Sequence, residues 1–407
     1  MQAKYTDAQQ RLVTLNTLLN ALQQNYTNLQ LQHLSLKMNF SLLEEYVHDL
    51  SLVSGSSYYV FKQNSKYYAQ NGFNATIEYY SENCTAVISY ALDHTSPGGE
   101  VLLKALASDA DAYYIDSTIF PPNCTTLASE NRMATICLKS NCSKDIVNLH
   151  NVHHVQIRNI RICGNRWNQT DGNGIVISGA FGGSDHLMEN VIIEDCNGTG
   201  PWIQYNQLNN TLRNVQIFHS GAYNVRIDSA DNRLIDVESG WAGLSWFDVR
   251  GVDNYFLNCI SWGCGTRGDQ ADCNGFSISE ARNMFLGCDA DRNDRGGFVC
   301  ADANQTILVA CIGRNNGQRV SGSWGFDLYN SYETIISACV ATDEQESKTQ
   351  DYGFTEGGNS DYNIVTDCNF EGNRVGAVFR PCRIAQRHKR YFRLLGTRFR
   401  LFKLQVL

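Results

Sequence analysis

"NGFSISEARNMFLGCDADRNDRGGFVCADANQTILVACIGRNNG", residues 274–317, states one phrase twice. Each half opens on Gly-Phe, runs through a short alternating stretch to a hydrophobic triplet and a Cys, and closes on an Asp/Asn/Arg/Gly turn. Outward from there, Gly before an apolar residue recurs at Gly275-Phe276, Gly297-Phe298, Gly325-Phe326, Gly353-Phe354 and Gly376-Ala377, at intervals of 22, 28, 28 and 23 residues. A second marker lies between them: Cys163, Cys196, Cys259, Cys288, Cys311, Cys339 and Cys368. Such an interval is too short for a domain. It suits one supersecondary unit that buries its apolar face only by stacking on copies of itself. Short strands separated by Asn/Gly/Asp turns therefore predict an all-β chain, a parallel β-helix with coils ~4.8 Å apart. A sandwich does not need one residue type at one phase of every repeat, and propeller blades run ~40 residues or more.

The cysteine marker predicts a column of small buried thiols at one inward site; disulfides between successive members are the alternative. Fifteen Cys is an odd number, so at least one stays unpaired within the chain. Two short spacings, Cys137/Cys142 and Cys264/Cys273, suit loop staples in an oxidising setting.

Ahead of the repeats the pattern is different. Leu12, Leu15, Leu19, Leu22, Tyr26, Leu29, His33, Leu36, Phe40, Leu43, Val47 and Leu50 step by three and four, which predicts an α-helical coiled coil and hence self-association through residues 12–50. The organisation expected is a coiled-coil helix over 1–54, the start of the solenoid with its N-terminal cap over 55–150, coils over 151–380, and a basic cap or tail over 381–407.

Charge is divided unevenly. Residues 379–407 hold seven Arg, two Lys and no acid, within a chain whose formal charge is -8. The acidic body lacks the Lys/Arg clusters that give phosphate affinity, which argues against nucleic acid as a partner. No stretch approaches the ~20 apolar residues of a membrane span, and MQAKYTDAQQ lacks the apolar core of a secretory signal, which favours a virion component or a processed chain. Sequons at Asn74, Asn83, Asn123, Asn141, Asn168, Asn197, Asn209 and Asn304, with Asn25 and Asn39 beside the heptad seam, suggest an extracellular glycoprotein.

The stretch "KYYAQNGFNATIEYYSENCTAVISYALDHTSPGGEVLLK", residues 66–104, resembles the start of pectate-lyase-like right-handed β-helix proteins. In these a Tyr-Tyr-Ala-x-Asn-Gly strand, an amphipathic capping helix and a Gly-Gly-x-Val first strand close the bottom of the solenoid. The resemblance extends over roughly residues 58–380. It implies the right-handed β-helix fold and leaves activity open, because the superfamily includes lyases, hydrolases, viral tailspikes and proteins without catalysis.

Coils of 28 residues are longer by insertions at one phase, 263–273, 313–324 and 341–352, and insertions at one phase gather on one side of a solenoid. On the Gly-Phe strand, alternation sends outward a column of Arg226, Asp248, Ser277, Val299, Asp327 and Thr355, beside a second of Asp228, Arg250 and Ser279. Asp228 and Asp248 are diagonal neighbours ~8 Å apart by strand and coil spacing, within the ~6.5–9.5 Å window of inverting glycosidases. Two uses fit them: catalysis with Arg226 and Arg250 nearby, or ion pairs across the coils, Arg226 beside Asp248 and Arg250 beside Asp228. The polygalacturonase-like set of Asn-Thr-Asp, paired Asp, Gly-His-Gly and Arg-Ile-Lys is missing. The segment "DADRND", residues 289–294, offers calcium ligands or a polar turn, and the turn is favoured because other coils have one at that phase. Trp241, Trp262 and Trp324 are candidates for stacking on sugar rings.

Taken together, these features predict an oligomeric, trimeric attachment spike or fibre at a virion or extracellular surface that binds cell-surface carbohydrate without a cofactor. A polysaccharide lyase or hydrolase on the same scaffold, and a structural subunit assembling with other virion or filament subunits, are the alternatives.

Overall fold

A computed structural model describes residues 56–379, apart from 107, 109–110, 131, 133, 181–183 and 264–272, together with 392–393. The heptad segment, Cys264 and nearly all of the basic tail lie outside the described residues.

Three-residue strands dominate. Coils through the middle of the solenoid give one strand to each of three sheets, A, B and C, paired in parallel from coil to coil, as in Tyr255–Leu257, Ile260–Trp262 and Phe276–Ile278. A strand this short has no stability alone, and its backbone groups are satisfied only by the coils above and below. Among the described residues the sheets hold 15, 9 and 10 strands. The solenoid opens as the resemblance implied: the antiparallel strands Tyr58–Gln63, Lys66–Asn71 and Ile77–Ser81 extend sheet A, and Glu100–Leu103 joins it in parallel. Helix Cys84–Asp93 covers the bottom of the core. Asn83 caps it by accepting a hydrogen bond from the Ala86 N–H at 3.1 Å, while Val87, Ile88, Ala91 and Leu92 are buried.

The opening phrase proves to be a register. Phe247, Phe276, Phe298, Phe326 and Phe354 stand opposite one another in successive strands of sheet C. From Phe247 to Phe326 their rings stack at 4.5, 4.6 and 5.0 Å within 8° of parallel. The last marker slips by one residue: Gly376 pairs with Tyr352, so Val378 continues the column.

The cysteine column needs a correction. Cys259, Cys288, Cys311, Cys339 and Cys368 lie at the corner between sheets A and B, in the column that Ile160, Val191, Val215 and Val237 fill in earlier coils. Cys163 sits outward on sheet B and Cys196 lies beyond the strand Ile192–Glu194. Each corner thiol donates to a carbonyl of the coil below, as Cys288 does to Phe256 O at 3.7 Å, which a Val could not. These five are thiols, without disulfides between successive members. Cys137 and Cys142 are also both thiols: Cys137 lies on strand Thr135–Leu138 opposite Cys163, and Cys142 is in the following turn.

Asparagine does more than make turns. Asn210, Asn232, Asn254 and Asn283 form a buried ladder at the corner before sheet A: the side-chain oxygens of Asn232, Asn254 and Asn283 each accept the backbone N–H of the Asn below at 2.9–3.0 Å, and that of Asn210 accepts the His186 N–H at 3.1 Å. A second ladder, Asn293, Asn316, Gln350 and Asn373, runs along the corner before sheet C. These rails satisfy corner backbone that no strand can reach. Asn232→Ala is expected to cost about 1–3 kcal/mol, because it strands the Asn210 N–H in the core; a urea midpoint unchanged from wild type would show that the rail is dispensable.

Candidate functional site

Sheet C carries the outward columns expected from the sequence. Trp202, Arg226, Asp248, Ser277, Val299, Asp327 and Thr355 follow one another in register. The lower part is a closed charge network. Arg226 Nε lies 3.0 Å from Asp228 Oδ1 and 4.0 Å from Asp248 Oδ2. Arg250 Nε lies 2.8 Å from Asp248 Oδ2, and its Nη2 donates to the Tyr223 hydroxyl at 3.0 Å. Trp202 Nε1 donates to Asp228 Oδ2 at 2.7 Å, under the Arg226 guanidinium. Pairing runs mainly along each strand, Arg226 with Asp228 and Arg250 with Asp248, and not across coils as expected. Burial pushes the Asp248 carboxyl up against the pull of Arg250 and Arg226. Both aspartates are nearly buried, and each is held by an arginine on its own strand.

Higher on the same sheet lies a cleft of about 620 Å³. The insertions 313–324 and 341–352 lead into the longer strands Trp324–Tyr329 and Tyr352–Gly357, whose first residues, Trp324 and Tyr352, pair in register. The insertion at 341–352 is pinned by Asp343, which accepts the N–H groups of Thr349 and Gln350 at 2.5 and 2.7 Å. Trp324, Tyr329, Tyr352 and Phe379 supply aromatic walls. The Arg295 guanidinium lies 5.1 Å from the Trp324 ring centre, and Tyr352 and Phe379 approach to 5.1 Å. Gly296 is needed here, since a Cβ would meet Trp324 Nε1 at 2.5 Å.

On the floor, Asp327 Oδ1 accepts the Thr355 hydroxyl at 2.5 Å. Burial pushes this carboxyl up to about 6, against the Thr355 hydrogen bond and the Arg295 charge. The group can thus hold or release a proton near neutrality. A folded value above the unfolded ~3.9 means that the native chain keeps a proton that the unfolded chain loses between pH ~4 and ~6, so this carboxyl lowers stability as pH rises through that window. Asp327→Asn should remove the contribution. Its urea midpoint, relative to wild type, is expected to rise from pH 4 to pH 6.5; a constant difference would contradict the assignment.

The three candidate tryptophans divide between two faces. Trp324 lines the cleft, whereas Trp241 and Trp262 meet on sheet B at 4.2 Å and 72°, with Phe218 and His219 beside them. Trp241 occupies the left-handed region at φ 53°, unusual for a bulky residue, and Trp262 Nε1 donates to Glu238 at 2.8 Å. The segment 289–294 divides between strand Asp289–Asp291 and a buried corner: Asp289 and Asp291 face Arg314 at 2.8 and 3.8 Å, while Asp294 faces Arg319 at 3.6 Å. No group of three or more His, Cys, Asp or Glu among the described residues is placed to hold a metal.

Of the sequon asparagines, Asn74, Asn123, Asn141, Asn168 and Asn209 are exposed, while Asn83, Asn197 and Asn304 are half-buried. Asn83 and Asn197 use the amide nitrogen that a glycan would need, donating to Asp116 and to Gln169 O. Cys273 is buried and donates to Gly243 O at 3.5 Å.

Sequence reasoning placed Asp327 and Thr355 in the outward column but did not single them out. The signal was there: both follow the Gly-Phe marker immediately after the insertions.

No protein-family profile matches this sequence, and no curated protein matches it either. Solved structures do. The A-module of the mannuronan C-5 epimerase AlgE6 from Azotobacter vinelandii is 18% identical, over 77% of this chain and 94% of its own, with a TM-score of 0.54. The AlgE4 A-module of the same organism is 15% identical, over 77% and 96%, at 0.57. The enzymatically active domain of tailspike protein 2 from bacteriophage CBA120 is 11% identical, over 70% of this chain and 45% of its own, at 0.59. The fold shared with them is the right-handed parallel β-helix.

Proposed function

We propose that this chain is the carbohydrate-binding body of an oligomeric attachment protein at a virion or extracellular surface, and that a cell-surface polysaccharide lies in the cleft on sheet C. The cleft itself carries this reading. Aromatic walls facing an Arg, an Asp and a Thr offer what a pyranose needs, ring faces for its C–H surface and fixed donors and acceptors for its hydroxyls. The charge network below it lengthens the face for a chain of several sugars. Support comes from solved structures of the same fold, which are named as mannuronan epimerase modules and a bacteriophage tailspike. Association into trimers would run through the heptads of residues 12–50.

One observation favours a second reading, cleavage of the bound chain. Asp327, with its carboxyl at about 6 beside Thr355, has the proton affinity of a general acid or base. The test is to incubate the purified protein with candidate surface polysaccharides and measure retention and chain length together. Retained, intact chains are expected. Shortened chains would make the protein an enzyme, and neither retention nor shortening would leave the structural-subunit role.

A further inference from the structure

Cysteines face one another in successive coils at two places. At the A–B corner Cys259, Cys288, Cys311, Cys339 and Cys368 are 3% exposed or less, and burial pushes the Cys288 and Cys311 thiols well up. Buried this deeply the five are out of reach of oxidants, and Cys288 and Cys311 have little thiolate to react. The other place is on sheet B. Strands Thr135–Leu138 and Arg161–Cys163 pair in parallel with Cys137 directly opposite Cys163.

Here the side chains point away from the core, since the alternating neighbours Ile136 and Ile162 are the fully buried ones. Cys163 is half-buried, in reach of a small solute. Parallel strands lie ~4.8 Å apart, inside the ~4.4–6.8 Å Cα separation that a disulfide spans. A hydrogen bond from the Cys137 thiol holds Cys163 below the ordinary thiol range, while the same bond and burial push Cys137 up. The more reachable sulfur is therefore the better nucleophile, with a second thiol against it.

We propose that Cys137 and Cys163 are an oxidation site, a dithiol that closes to a disulfide and clamps two successive coils on sheet B. With a small disulfide of the glutathione class as oxidant, the Cys163 thiolate attacks one of its sulfurs, a Cys163–S bond forms, and the other half leaves as thiolate. Cys137 then gives its proton to solvent, and its sulfur attacks the Cys163 sulfur and expels the second half. Two protein thiols are oxidised and one small disulfide is reduced to two thiols. The bond ties residues 26 apart in sequence, which shrinks the unfolded ensemble.

The test uses the full chain, folded, incubated with oxidised glutathione, quenched by alkylation and mapped without reduction. A Cys137–Cys163 linked peptide pair is expected, lighter by two hydrogens, with the five corner thiols alkylated only after denaturation. The thermal midpoint should rise by roughly 5 °C on oxidation, and Cys163→Ser should lose both the link and the rise. Cys142→Ala keeps the link if the proposal holds and serves if the first variant does not fold. A Cys137–Cys142 link, glutathione on the corner thiols, or Cys137 and Cys163 both still free after oxidation would overturn it.

Discussion

Phe298→Ala is expected to lower the stability of the β-helix by about 3–5 kcal/mol. Its ring is 1% exposed and covered on both faces, by Phe276 at 4.6 Å and 0° and by Phe326 at 5.0 Å and 7°. A coil cannot collapse into the gap, because its backbone is held in register on each side by the coils around it. Lost transfer energy and a persistent cavity therefore add. Urea unfolding followed by circular dichroism measures this. A loss under 1 kcal/mol would show that neighbouring coils repack and that the stack does not carry the solenoid.

The second large effect concerns binding. Trp324→Ala should weaken the hold on a retained polysaccharide about 30-fold, or about 2 kcal/mol, as for an aromatic anchor at the centre of an interface. The substitution removes one wall of the cleft and the ring beneath Arg295, at a residue that is only partly buried. Trp167→Ala, at a 63% exposed ring outside the cleft, is the control and should leave affinity unchanged. Equal loss in both variants, or none in either, would remove Trp324 from the site. Calorimetric titration with the retained polysaccharide reads the difference directly.

How much of this was legible beforehand follows from what repeats. Phe276, Phe298, Phe326 and Phe354 recur because each needs the same partner above and below, so composition at one phase revealed both the fold and the inward face. The outward columns followed from alternation alone. Corners were harder. Cys163 and Cys196 end phrases that look like the others, yet Ile160 and Val191 hold the corner position in those coils, so Cys163 falls three residues later, on the outer face of sheet B. Asn232 and Asn254 look like turn residues because the sequence does not show whether an amide faces water or the next coil. The carboxylates illustrate the same limit: ~8 Å between Asp228 and Asp248 was an inference from spacing, but which arginine each one takes depends on side-chain direction. Asp327 stood in the expected column, and only the enclosure formed by Trp324, Tyr352 and Phe379 distinguishes it from Ser277.

The most direct test of the central claim is oxidative footprinting of aromatic side chains, with and without a polysaccharide that the protein retains. Protection of Trp324, Tyr329, Tyr352 and Phe379 on sheet C is expected, with Trp167 labelled equally in both states. Protection confined to Trp241 and Trp262 on sheet B, with the cleft residues unchanged, would contradict it.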